Sequence, residues 1–323
     1  MRALGPARRR AANPPALAAG CAVVVHPSPR ASLGVLRLAR LMADAGLPDG
    51  VLNVVTGTGR TAAVLAGHRH VALVAFSGSP EAGRDCRRAA APSGARVLAD
   101  TGGRGPDVLL DDAPLEDAVD EVVHALGAPP APACGLGSTL LVQEGLEADL
   151  CRWLHHRLAR LRVGDPLDPD TELGPVPDPG RFEDIQAFLA LARDDGVEVV
   201  EPGFDGQDGA DGSGRLEAAL PGSGRWCRPG YVTGVVEGMA VAGTTIPGPL
   251  FVVRGFRTPA EALERARSIE PGRPASVWTA NGSRLPAMLK GLDRAVAHGN
   301  CTMRHDAGGA WSGGPQGLWP YLE

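Results

Sequence analysis

The sequence predicts an α/β protein made of two units in tandem, and three features carry that reading. Apolar runs of strand length alternate with amphipathic segments of helix length from about residue 22 onward. The strand-length runs are continuously apolar, as short strands are when helices cover both faces of a parallel sheet. A glycine-rich join, "ADTGGRGP" at 99–106, separates two such series.

The first series opens with the strand "AVVVHP" at 22–27. "SPRASLGVLRLARLMADAG" follows as a helix, with Ser28 at the N-cap, Pro29 at N1 and Gly46 at C′. Then come the strand "VLNVV" (51–55), a short helix from Thr61, and the strand "VALVAF" (71–76). A helix from Pro80 to about Ala91, opened by Ser79 and Pro80, leads to the strand "ARVLA" (95–99). Strand–helix–strand connections are right-handed crossovers, so these strands are expected to run parallel.

The second series starts with "DVLLDD" (107–112) and a helix "PLEDAVDEVVHALG" opened by Pro114 and closed by Gly127. The strand "STLLVQE" (138–144) and a helix at 147–161 follow. Further strands are expected at 197–201, 249–256 and 275–280, with helices at 179–194, 259–268 and 283–297. The stretch 201–225 is low in complexity and reads as a solvated loop. The expected domains are residues 1–101, residues 102–305 and a C-terminal tail at 306–323.

Composition excludes several partner classes. A formal charge of -5 and 4% aromatic content leave neither a basic excess nor a stacking surface for nucleic acid. The longest apolar stretches, such as "AVVV" and "PLFVV", fall far short of the roughly 20 residues that span a membrane. Six cysteines (Cys21, Cys86, Cys134, Cys151, Cys227, Cys301) form no C-x-x-C pair, which fits a reducing, cytoplasmic setting. His155 and His156 are adjacent and face different sides of a helix, and His68 and His70 flank Arg69, so no metal site is expected. The opening "MRALGPARRRAANPPALAAG" is arginine-rich and acid-free but lacks the serine content of a transit peptide, and it reads as a start already inside a domain.

Three stretches are candidates for chemistry. "GTGRTA" sets Gly57, Gly59 and Ala62 in a G-x-G-x-x-A spacing between strand and helix, where backbone amides can hold a pyrophosphate. Steric demand at a tight turn accounts for the same glycines, and no acidic residue ends the next strand to take a ribose hydroxyl. "AFSGSPEAG" (75–83) has the same architecture and reads either as a ligand turn or simply as a well-capped helix. In "PAPACGLGSTLLVQE" (130–144), Cys134 is either a small apolar residue or a nucleophile. Its neighbours Ala133 and Gly135 leave the sulfur and the backbone amides open to approach.

Taken together, "GCAVVVHPSP", "AGLPDGVLNVVTGTG", "VAFSGSPEAG", "ADTGGRGPDVLLDDAPLEDAV", "ACGLGSTLLVQE", "VGDPLDPDTELGPV", "IPGPLFVVRGF" and "ASVWTAN" resemble the aldehyde dehydrogenase superfamily in order and spacing. The resemblance runs from about residue 14 to the C-terminus, and the ending "WSGGPQGLWPYLE" looks most like the family-16 branch, some members of which lack the catalytic cysteine. It implies a Rossmann-type coenzyme domain, shortened at its N-terminus, followed by an α/β catalytic domain. It also implies oxidation of a small-molecule aldehyde to a carboxylic acid, with NAD or NADP as cofactor. Cys134 matches the nucleophile that forms a thiohemiacetal. Asp100 stands where the family has a glutamate that activates water for thioester hydrolysis, keeping the carboxylate on a stem one methylene shorter. Phe76, Ser77, Gly78 and Ser79 match the turn beside the cofactor, and Gly57 matches a glycine near its adenine end.

The resemblance also shows substitutions. His26 replaces a lysine that binds the adenosine ribose, and Pro29 a glutamate that assists it. Thr245 lies where a glutamate holds the nicotinamide ribose, and Pro247 where a phenylalanine shapes the same region. The chain opens where the family has completed its N-terminal third, which carries an asparagine at the oxyanion and the first coenzyme-domain strands. Two expectations follow: a dehydrogenase using Cys134 and Asp100, or a catalytically inactive relative that serves as a binding or scaffolding protein. A homodimer is the expected association.

Overall fold

The computed structural model describes residues 15–100, 105–127, 138–202, 224–269, 273–294 and 296–301. Residues 15–100 belong to one compact unit and 105–301 to a second.

In the first unit, β1 (Val23–Val25) and β2 (Leu52–Val54) pair in parallel, Val23 opposite Leu52 and Val25 opposite Val54. The connecting helix α1 (Ser32–Asp44) starts later than its caps predict. Ser28 opens a 3-10 turn at Pro29–Ala31, and its side chain makes no cap bond. Instead the Ser32 hydroxyl donates back to the carbonyls of Ser28 (3.0 Å) and Pro29 (3.1 Å). The helix ends as predicted. Gly46 takes φ 92, its amide reaches Ala43 O at 2.9 Å, and Leu47 N reaches Met42 O at 3.0 Å, closing the exposed carbonyls around a left-handed glycine.

A second parallel pair, β3 (Leu73–Ser77) and β4 (Arg96–Asp100), runs in register from Leu73 opposite Arg96 to Ser77 opposite Asp100. The crossovers are α2 (Gly59–Ala66), which begins two residues before the predicted Thr61, and α3 (Pro80–Ala90). These helices pack on each other, and at Gly67 the Ala89 carbonyl comes so close that a Cβ would lie 2.8 Å from its oxygen. The predicted parallel sheet is realised two strands at a time, because among the described residues β3 joins neither β1 nor β2.

The second unit holds a seven-stranded sheet of order β11-β10-β5-β6-β9-β8-β7. Its strands are β5 (Asp107–Leu109), β6 (Thr139–Gln143), β7 (Glu198–Val200), β8 (Gly230–Thr233), β9 (Leu250–Phe256), β10 (Ala275–Trp278) and β11 (Ala297–Gly299). Neighbours are parallel except β7, which is antiparallel to β8 at the edge. Helices α4 (Leu115–Gly127) and α5 (Glu147–Ala159) bury Val119, Val123, Leu150 and Leu154 against Leu140, Phe251, Val253 and Trp278. The other face carries α6 (Pro179–Asp194), α7 (Pro259–Ser268) and α8 (Leu285–Gly291). There Ile185 and Phe188 meet Val232, Leu250 and Val252, and Ala262, Ala266 and Met288 meet Val108, Leu141 and Val277. Helices on both faces are the physical reason for the continuously apolar strands.

Two strands lie where none was predicted, β8 and β11. The helix predicted over 283–297 stops at Gly291, two residues before Asp293 takes a φ of 52. That break frees the chain to form β11, which Asn300 fixes by accepting from Thr279 N and donating to Thr279 O, both at 2.9 Å. Most of the predicted 201–225 loop and the 306–323 tail lie outside the described residues.

Candidate active site

The carboxyl ends of β3 and β4 bring together most of the first unit's candidate residues. Phe76 is buried near the end of β3 and folds its ring over Gly78, where a Cβ would sit 2.6 Å from the Phe76 Cζ. Only glycine lets the ring close that turn. Ser79 then caps α3, its hydroxyl oxygen accepting from Ala82 N at 3.3 Å, with Pro80 at the first helical position. Asp100 is the last residue of β4 and stands in register with Ser77. In parallel α/β sheets, the carboxyl ends of the strands are where ligands are met.

The ends of β1 and β2 place the remaining two. His26 follows β1 directly, half-buried with both ring nitrogens shielded from water. Beside it, Val55 N donates to Val25 O at 3.0 Å, and Gly57 lies two residues further on. Gly57 has a packing reason of its own: a Cβ there would meet the Thr61 Oγ1 at 2.3 Å. The α2 N-terminus offers open amides, since Thr58 makes no side-chain cap bond and no acidic residue occupies the first turn.

Cys134 lies outside the described residues. Four residues after it, Ser138 stands at the amino end of β6 and donates its hydroxyl to Asp107 Oδ2 at 2.6 Å, and both residues are fully buried. Val252 N donates to Ser138 O at 3.1 Å, which ties the start of β6 to β9. The exposed Thr245 and buried Pro247 lead into β9 from that same end of the sheet. The amino ends of β5, β6 and β9 therefore collect Asp107, Ser138 and the 245–249 segment. The Asp107–Ser138 pair was missed by sequence reasoning. Its signal is an acidic residue opening the otherwise apolar strand "DVLL".

Burial separates three other cysteines, Cys86, Cys151 and Cys227, from a nucleophilic role. It pushes the Cys227 thiol up to about 12, helped by the charge of Glu201, and the Cys151 thiol up to about 11, helped by Glu147. Burial also raises Cys86, against a small opposing pull from Arg87. A thiol held protonated at neutral pH is a poor nucleophile. Among the described residues no cluster of three His, Cys, Asp or Glu has the arrangement of a metal site, and no helix is long and apolar enough to cross a membrane.

Comparison with known proteins identifies the family. The model of the aldehyde dehydrogenase family matches residues 10–316. A betaine aldehyde dehydrogenase of Cereibacter sphaeroides is 33% identical over 278 residues, covering 86% of this chain and 55% of that protein. The peroxisomal aminoaldehyde dehydrogenase 2 of Malus domestica is 32% identical over 300 residues, covering 93% of this chain and 57% of that protein. Among solved structures, an NAD-dependent aldehyde dehydrogenase from Sinorhizobium meliloti superposes with a TM-score of 0.78 at 31% identity, over 90% of this chain and 56% of that one. A betaine aldehyde dehydrogenase variant from Staphylococcus aureus, solved with NAD+, superposes with a TM-score of 0.82 at 27% identity, over 95% of this chain and 62% of that one. The chain spans about half the length of the curated relatives it matches. With an ordered set of motifs, two α/β units and a family match over nearly its whole length, this chain belongs to the aldehyde dehydrogenase family.

Proposed function

We propose that this chain provides the cofactor turn and the catalytic segment of an NAD(P)-dependent dehydrogenase that oxidises a small aldehyde to its carboxylic acid. The observation that carries this reading is the register of Ser77 with Asp100, which sets the family's water-activating position beside the turn matched to the cofactor. In this reading the Cys134 thiolate adds to the aldehyde carbon and gives a thiohemiacetal. Loss of hydride from that carbon leaves a thioester. The Asp100 carboxylate then accepts a proton from the water that hydrolyses the thioester, releasing the acid and returning the Cys134 thiol.

The residues fit a dinucleotide in part. The uncapped α2 amides offer donors of the kind a pyrophosphate needs, while the space over Gly78 is taken by the Phe76 ring. Phe76, Ser77, Gly78, Ser79, Gly57 and His26 would hold it. When bound, the nicotinamide ring supplies the hydride acceptor that aldehyde oxidation requires. A reducing, cytoplasmic setting and a homodimer complete the proposal, the first from cysteine usage and the second from the family resemblance. The inactive alternative draws on Thr245, which has no carboxylate to hold the nicotinamide ribose, and on Gly57, which Thr61 packing explains without a ligand.

Thiol labelling tests the nucleophile. Iodoacetamide at neutral pH is expected to modify Cys134 first, with Cys86, Cys151 and Cys227 slower by at least about tenfold, because burial keeps their thiols protonated. Peptide mass spectrometry reads the order. Labelling of Cys134 at the same rate as those three would overturn its assignment as the activated thiol.

A further inference from the structure

β9 carries one charge into an otherwise apolar strand. Its sequence is "LFVVRGF", and Arg254 is only 6% exposed, lying opposite Leu141 of β6. Leu250 and Val252 share its face of the strand, and both are core residues. A guanidinium stays charged at any pH where proteins fold, so an apolar setting costs free energy unless an anion answers it. Among the described residues no such anion meets Arg254. Its Nε is sealed from water without a hydrogen-bond partner, and no described carboxylate makes an ion pair with it.

The neighbouring charges are committed elsewhere. Arg265 of α7 reaches the carbonyl of Gly255, next to Arg254, and pairs with Glu261 Oε1 at 2.6 Å. The other Glu261 oxygen accepts from Arg257 N at 2.8 Å. Arg265 repels the Arg254 charge, and the exposed Glu237 offsets it only from a distance. The β8 ladder on β9 ends at Val252, two residues short of Arg254, and Thr233 is the last residue of β8. Arg254 thus lies beyond the carboxyl end of β8, where parallel sheets receive ligands. Ser138 and Thr245 lie at the opposite, amino ends of β6 and β9, so within the second unit this place is separate from the proposed catalytic segment.

We propose that Arg254, with Arg265 beside it, forms a binding site for a small oxyanion, a phosphate or carboxylate group, at the carboxyl end of β8. The planar fork of the Arg254 guanidinium matches two oxygens of either group, and Arg265 borders the site while paired with Glu261.

Thermal unfolding of the full chain tests the site, followed in sodium phosphate and in sodium acetate, with sodium chloride at matched ionic strength as the control. A saturable rise in Tm of about 3 °C or more in phosphate, in acetate or in both is expected, and the stronger arm identifies the ligand class. Arg254→Met is expected to remove that rise. An Arg254→Met protein that keeps the rise would overturn the proposal, as would a wild-type chain whose Tm is the same in all three salts. If Arg254→Met does not fold, Arg254→Lys keeps the charge without the fork, and its anion affinity is expected to fall at least about fivefold. Unchanged affinity in Arg254→Lys would count against recognition by the guanidinium.

Discussion

Replacement of Cys134 by alanine is expected to abolish aldehyde-dependent NADH formation, a fall of roughly 10⁴-fold or more in turnover. The size follows from covalent catalysis. Without the sulfur no thiohemiacetal forms, and hydride would have to leave a free aldehyde hydrate. Cys151 and Cys227 are held protonated by burial, with thiols at about 11 and about 12. NAD affinity should stay within about twofold, because Cys134 is matched to the step on the aldehyde and not to a cofactor contact. Stopped-flow absorbance at the NADH band checks the loss, and turnover in the alanine variant within tenfold of wild type would remove Cys134 from the chemistry.

The largest expected effect on stability is at Phe251. It is fully buried near the amino end of β9, opposite Tyr231, and it packs in the core shared with Leu140, Leu150, Leu154 and Trp278. Phe251→Ala removes a whole ring from a close-packed layer and is expected to cost about 3–5 kcal/mol, a large part of the 5–15 kcal/mol typical of a folded domain. The effect reaches function because β9 aligns the start of β6 through Val252 N and Ser138 O. Urea unfolding of the second unit checks the value. Leu167→Ala, at a side chain of the same unit that is 89% exposed, should change it by no more than about 0.5 kcal/mol. Equal midpoints for the two variants would contradict the described core.

Local chemistry made much of this fold legible. The α6 and α7 segments were marked by Pro179 and Pro259 at their first positions, and the bounds read from sequence match those observed. Ser79 and Gly46 announced a cap and a stop for the same reason: their side chain, or its absence, acts on the nearest few residues. What escaped was set by distant partners. β8 is four residues of "GYVT" beside a low-complexity stretch, and β11 is "AHG"; each is a strand only because a neighbour supplies its hydrogen bonds. The antiparallel turn of β7 depends on pairing, which periodicity does not encode. At the site, the Phe76–Ser79 turn was legible as strand, glycine and cap. The register of Asp100 with Ser77 was not, since a one-residue slip would leave the sequence pattern unchanged.

Calorimetric titration of NAD into the purified chain bears most directly on the proposed dehydrogenase role, because the family resemblance implies that His26, Pro29 and Thr245 replace residues holding the two riboses. A saturable binding heat with a dissociation constant in the micromolar range is expected, followed by NADH formation when an aldehyde is added to the same sample. No binding heat at millimolar NAD and no NADH formation would contradict it, and would assign the chain to the inactive, partner-binding alternative.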